Sequence, residues 1–141
     1  MASPAKRRTA KPPPHALYLG VDGGGTKTHI ALLNAAGELQ CEGFAGPSNP
    51  LRVGVETAVG NIIKAINEAC DRSGLSRGDI EAATLGLAGV RRADIRQRVR
   101  ESFLQRIRAN RIVVVTDAEI ALYATTEGKP GLVVIAGTGS V

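Results

Sequence analysis

The sequence has no tryptophan, one methionine and two cysteines, and aromatic residues make up only 3% of its 141 positions. Cys41 and Cys70 show neither CxxC spacing nor a nearby histidine, and His15 and His29 are isolated. This excludes a protein-built metal cluster by spacing and predicts two buried thiols in a reducing cytoplasm. No apolar run approaches the roughly 20 residues that a membrane helix needs, so no membrane partner is expected. The first fourteen residues hold no acidic residue and no apolar stretch, which excludes a secretory signal.

What the sequence does contain is glycine, seventeen of them, in a chain that is 43% hydrophobic. Abundant glycine with few aromatics points to an α/β domain of ordinary size with tight turns. The formal charge of +5 suggests nucleic acid until it is located. Lys6, Arg7, Arg8 and Lys11 stand in the first fourteen residues with Pro4, Pro12, Pro13 and Pro14, the composition of a disordered tail over 1–14. The remainder holds fourteen basic against thirteen acidic residues. Eight arginines between Arg91 and Arg111 lack interleaved aromatics beyond Phe103, so they read as a solvated helix face, with no nucleic-acid partner.

Apolar spacing predicts the elements. Ala16–Val21 is a strand ending at the turn signal Asp22-Gly23-Gly24-Gly25, and Thr28–Leu33 is a strand apolar on both faces, hence central. Glu38–Phe44 alternates, with Leu39, Cys41 and Gly43 on the inner side, so the three strands form an antiparallel meander. Val55, Val59, Ile62, Ile66, Ala69 and Cys70 then share one face of a helix that Gly74 ends. Ala82–Leu87 reads as a strand, and Ile95, Val99, Phe103 and Ile107 as a helix. Ile112–Val115 is a compact buried strand, Ala118–Thr126 a short helix and Leu132–Ile135 a further strand. The order βββαβαβα implies an α/β fold with a mixed sheet and helices on its faces.

Three segments carry chemistry. Asp22-Gly23-Gly24-Gly25-Thr26-Lys27 lies between two strands, where a plain hairpin needs only Asp-Gly. Three successive glycines let backbone amides approach a polyanion, and Thr26 and Lys27 add a hydroxyl and a positive charge. A dinucleotide-binding turn is excluded, because a strand follows the glycines instead of a helix. Asp22, at a strand end, could hold magnesium through water. Asp117 has two readings. It opens a helix where Thr116 and Glu119 match a capping box, and it stands at a strand's carboxyl end where a general base would serve. Gly137-Thr138-Gly139-Ser140 again follows an apolar strand, as a plain turn or as a second phosphate site.

Two glycine-threonine turns and one carboxylate, each at a strand end, resemble the superfamily of actin, sugar kinases and heat-shock chaperone ATPases. The order of elements is similar to its ribonuclease-H-like lobe. Gly20–Thr28 (GVDGGGTKT), Gly46–Pro50 (GPSNP), Gly86–Val90 (GLAGV), Thr116-Asp117-Ala118 and Ile135–Ser140 (IAGTGS) most resemble the N-acetylglucosamine kinases and the BadF/BadG/BcrA/BcrD ATPase group. The resemblance runs from about Leu17 to Val141.

It implies ATP and Mg2+ as cofactors. Asp22 would help hold the metal, Gly23, Gly24, Gly25, Thr26 and Lys27 would form the first phosphate turn, and Gly137, Thr138 and Gly139 the second. Asn49 would bind sugar hydroxyls, Asp117 would orient the attacking 6-hydroxyl of an amino sugar, and Ser140 would begin a further sugar-binding stretch. The competing reading of Asn49 is a local Ser-Asn-Pro turn. For Gly86–Val90 close backbone packing is preferred. The resemblance further implies a lobe over 15–129, with 130–141 opening a second lobe, and it is compatible with a homodimer. Two alternatives stand beside the kinase. One is an ATPase activator of 2-hydroxyacyl-CoA dehydratases, which binds an iron–sulfur cluster through cysteines. The other is a non-catalytic sugar- or nucleotide-binding module.

Overall fold

The computed structural model describes residues 11–126, with side chains to residue 121. The tail up to residue 10, the strand expected at 132–135 and the turn Gly137–Ser140 lie outside the described residues. Five strands form one sheet in the order β3-β2-β1-β4-β5. The strands are β1 (Leu17–Gly23), β2 (Thr28–Leu33), β3 (Leu39–Ala45), β4 (Ile80–Leu87) and β5 (Arg111–Thr116). β1, β2 and β3 pair antiparallel as a meander, whereas β4 and β5 run parallel to β1. The fold is therefore the expected mixed sheet, with β1 rather than β2 at its middle.

Helix α1 (Pro50–Val53) is a single turn, α2 spans Val55–Ser73, α3 spans Ala93–Leu104 and α4 spans Asp117–Thr126. The helix expected from Val55 onward is present, and its residues Val59, Ile62, Ile66 and Ala69 are fully buried. Gly74 ends it in the left-handed conformation, φ 68°, donating its amide to the Cys70 carbonyl. Ile95, Val99 and Phe103 are buried from α3. Ile107 lies beyond the helix end yet stays buried, because its amide still bonds the Phe103 carbonyl and holds it on the same face.

Register assigns the faces. Gly43, Ile30, Val21, Leu85 and Val114 stand side by side across the five strands, and the Ala65 carbonyl of α2 sits against Gly43. That face carries α2 and α3 and holds the main core. The next row, one residue along, is Phe44, His29, Asp22, Gly86 and Val115, which faces the other way. There α4 contacts β1, β4 and β5, with Ile120 against Gly86.

Three expectations are corrected. Asp22 and Gly23 are not turn residues: they extend β1, opposite His29 and Thr28. Leu39 is 53% exposed, because the β2–β3 register shifts between Leu32 and Leu33 and carries it off the core row. β5 is not buried throughout: Ile112 is covered but Val113 is 51% exposed, as β5 is the outer strand among the described residues.

Candidate functional site

The parallel register decides where the chemistry collects. Gly23 of β1 pairs with Leu87 of β4, which pairs with Thr116 of β5. The residues that follow, the glycine turn, the Ala88–Arg92 connection and Asp117, therefore leave the sheet together at its carboxyl edge, the place where open α/β sheets bind ligands.

The glycine turn comprises Gly24–Lys27. The Gly24 amide bonds the Lys27 carbonyl at 3.0 Å, and the Gly24 carbonyl accepts from Ser48 at 3.1 Å. Among the described residues, the amides of Gly25, Thr26 and Lys27 have no backbone acceptor. The Thr26 and Lys27 side chains are exposed. Three free amides, a hydroxyl and an ammonium on one turn suit a phosphate chain. The turn is tied from below. Thr28, fully buried, donates its hydroxyl to the Gly46 carbonyl at 2.7 Å and pairs with Ser48 Oγ at 2.6 Å. A side chain on Gly23 would overlap Ser48 and Leu87, so glycine is required there by close approach. The Gly23 carbonyl also accepts from Ala88 at 2.9 Å. The turn, the 46–48 segment and the end of β4 are thus one hydrogen-bonded unit.

Asn49 follows Ser48 and caps α1: its Oδ1 accepts from the Leu51 amide at 3.0 Å. The local-turn role is therefore real for the oxygen, while Nδ2 has no acceptor among the described residues. A side chain on Gly89, at φ 81°, would overlap Asn49 Oδ1, and one on Gly86 would overlap Ile120. The Gly86–Val90 segment serves close packing, as expected.

Asp117 is exposed and is not the helix cap. The capping box is made by its neighbours: Glu119 Oε2 accepts from the Thr116 amide at 2.6 Å, and Thr116 Oγ1 accepts from the Glu119 amide at 3.1 Å. Among the described residues Asp117 Oδ1 accepts only from the adjacent Ala118 amide, at 3.0 Å. Asp117 instead lines a cavity of about 210 Å³ with Leu51, Gly89, Arg91, Arg92, Thr116 and Ala118. Arg92 is held by Asp94 through two bonds of 3.0 Å, and Arg96 bonds the Val90 and Arg91 carbonyls at 3.1 and 3.0 Å, which fixes the cavity's rim.

Asp22 is exposed at the end of β1, beside Gly86, and its carboxylate has no hydrogen-bond or ion-pair partner among the described residues. No group of three or more metal-ligating side chains occurs among the described residues. Cys70 is buried in the core, and burial first, then Cys41 and Asp71, pushes its thiol pKa up against the opposing pull of Arg77. It is a packing residue held in the neutral form.

Sequence reasoning missed Ser48, Leu51, Arg52 and Arg91. Ser48 and Leu51 look like ordinary loop residues until β1 and β4 are paired, Arg91 falls in the run of arginines that reads as a solvated face, and Arg52 carries no signal of its own in the sequence. Gly137, Thr138, Gly139 and Ser140 lie outside the described residues.

The chain is 33% identical over 123 residues to an N-acetylmuramic acid/N-acetylglucosamine kinase of Clostridium acetobutylicum, covering 87% of this chain and 40% of that one. It is 34% identical over 123 residues to a glucosamine kinase of Vibrio cholerae, covering 87% and 41%. Its fold superimposes with a TM-score of 0.68, at 27% identity, on a crystal structure from Chromobacterium violaceum assigned as an N-acetylglucosamine kinase, covering 84% of this chain and 41% of that one. The chain spans about two fifths of the length of these relatives. The fold is the mixed α/β lobe of the actin-like ATPases. Residues 19–141 match the profile of the BadF/BadG/BcrA/BcrD ATPase family, and the chain belongs to that family.

Proposed function

We propose that this lobe binds the phosphates of ATP and takes part in transferring the terminal phosphoryl group to the 6-hydroxyl of an amino sugar, with ADP as the leaving group, in the cytoplasm. The observation that carries the reading is the meeting of the Gly24–Lys27 turn and the Asp117 cavity at one sheet edge, joined through Ser48 and α1. The amino-sugar kinases among its relatives support the substrate class.

In this reading the free amides of Gly25, Thr26 and Lys27 receive phosphate oxygens, and the Lys27 ammonium offsets their charge. Asp22 suits magnesium: a single exposed carboxylate leaves the ion the waters it prefers to keep. When bound, the ion would neutralise phosphate charge at the end of β1. The sugar enters the cavity of Leu51 and Gly89, with Asn49 Nδ2 directed at its hydroxyls. Asp117 orients the attacking hydroxyl and takes its proton late, since phosphoryl transfer is loose and the alcohol acidifies only as the bond forms. Gly137, Thr138 and Gly139 would supply a second phosphate turn, and Ser140 a further sugar contact.

The test is magnesium-dependent ATP consumption against glucosamine, N-acetylglucosamine and N-acetylmuramic acid. It is run on a polypeptide in which this lobe is joined to a second lobe like that of its relatives. The expected product is a sugar phosphorylated at the 6-position, identified by mass spectrometry and NMR. ATP hydrolysis that no sugar accelerates would overturn the kinase reading in favour of an ATPase activator.

A further inference from the structure

Besides Lys27, a second cation lies against the glycine turn, one that the sequence motif does not contain. A Cβ placed on Gly25 would lie 3.2 Å from Nη1 of Arg52, 3.7 Å from its Cδ and 3.8 Å from its Cζ, so the guanidinium and its stem lie along the turn. Arg52 belongs to α1, and its position is fixed from both sides. Its amide bonds the Asn49 carbonyl at 3.0 Å, and the Asn49 side chain caps the same helical turn. The preceding residue, Leu51, lines the cavity that holds Asp117.

Arg72, Arg77, Arg92, Arg96 and Arg106 are bound to protein, whereas Arg91, Arg98, Arg100, Arg108 and Arg111, like Arg52, have no such partner among the described residues but do not lie against the turn's Gly25. Arg72 bonds the Glu42 carbonyl, Arg77 bonds Asn67 and the Arg106 carbonyl, Arg92 pairs with Asp94, and Arg106 with Glu56. The Arg52 guanidinium has no hydrogen-bond or ion-pair partner among the described residues. Its five donors are therefore free beside a turn whose amides are also free. A planar fork of that kind binds two oxygens of one phosphate at once, which an ammonium cannot do.

We propose that Arg52 grips the terminal phosphate of the nucleotide, the group that is transferred. Position selects that phosphate. Arg52 lies where α1 runs from the turn toward the Asp117 cavity, and the phosphate nearest the acceptor is the one that moves. There the guanidinium holds the ground-state phosphate and offsets the charge that spreads over its equatorial oxygens during transfer. The inference rests on the ATP-binding reading of the turn and adds to it a residue that distinguishes a triphosphate from a diphosphate.

The experiment compares Mg-ATP with Mg-ADP on the intact chain by NMR titration, which reads weak binding, for the wild type, Arg52→Met and Arg52→Lys. Loss of a charge-assisted pair predicts a fall of about 10- to 100-fold in ATP affinity for Arg52→Met, with ADP affinity within twofold and Arg52→Lys between the two. Arginine footprinting with phenylglyoxal, read by mass spectrometry, gives a second measure that needs no variant. ATP should slow modification of Arg52, ADP should not, and the exposed Arg100 should react equally in both. If the wild type binds neither nucleotide, the ATP reading itself falls. If it binds both, and neither the ATP-to-ADP ratio of the variants nor the footprint at Arg52 moves, this inference falls alone.

Discussion

Asp117 and Asn49 each hold a structural bond and each keep a polar atom without a protein partner among the described residues, and single substitutions separate the two duties. Asp117 does not cap its helix, so Asp117→Asn should leave the melting temperature unchanged. If the carboxylate is the base, kcat for sugar phosphorylation in the two-lobed polypeptide should fall by about 10²–10⁴-fold, with both substrates still bound. Near-wild-type turnover would remove Asp117 from the mechanism. For Asn49, alanine is a poor probe because it also destroys the cap on α1. Asn49→Ser keeps a capping oxygen for the Leu51 amide and removes the Nδ2 donor without adding a charge. A lost neutral hydrogen bond is worth ~0.5–1.5 kcal/mol, so the sugar KM should rise up to about tenfold with ATP affinity and Tm unmoved. An unchanged sugar KM would leave Asn49 as a cap alone. Both residues were visible in the sequence as candidates; which of their atoms are free was not, because that depends on neighbours three residues away or closer.

Among the elements, α4 is the one whose start bears on the site, and its cap can be weakened without touching the cavity. Glu119→Ala removes the acceptor for the Thr116 amide and should cost about 1 kcal/mol, seen as a Tm lower by a few degrees. Sugar binding should be nearly unaffected, since Glu119 does not line the cavity; a large loss of binding would mean that the helix start and the cavity cannot be separated. Elements with a strong period were legible from apolar spacing alone. Val55 to Cys70 could only be a helix, and Gly74 had to end it. Others were hidden for physical reasons. α1 is a single turn started by Pro50, too short to show any periodicity. β1 outruns its apolar residues because Asp22 and Gly23 are held by pairing to both neighbours, which no local pattern reveals. The exposure of Val113 follows from β5's place in the sheet, not from its composition.

At the scale of the whole lobe, strand direction sorts the connections into two sets. β1, β4 and β5 point toward the site and β2 points away, so the chain crosses between two ends of the sheet at each element. The site end receives the Gly24–Lys27 turn, the 46–49 segment, the 88–92 connection and Asp117. The opposite end receives the Asn34–Glu38 turn, the 74–79 connection and the 105–110 connection. Motifs along the sequence named the candidate residues, but only the parallel pairing of β1 with β4 shows that those described share an end. The same sorting divides the lobe into parts that can and cannot be lengthened. Asn34-Ala35-Ala36-Gly37 is exposed or half-exposed, is closed by its own bonds between Asn34, Ala36 and Glu38, and touches no residue of the site. A tag, a fluorophore or an inserted domain belongs there, with the length of a strand between it and the Gly24–Lys27 turn.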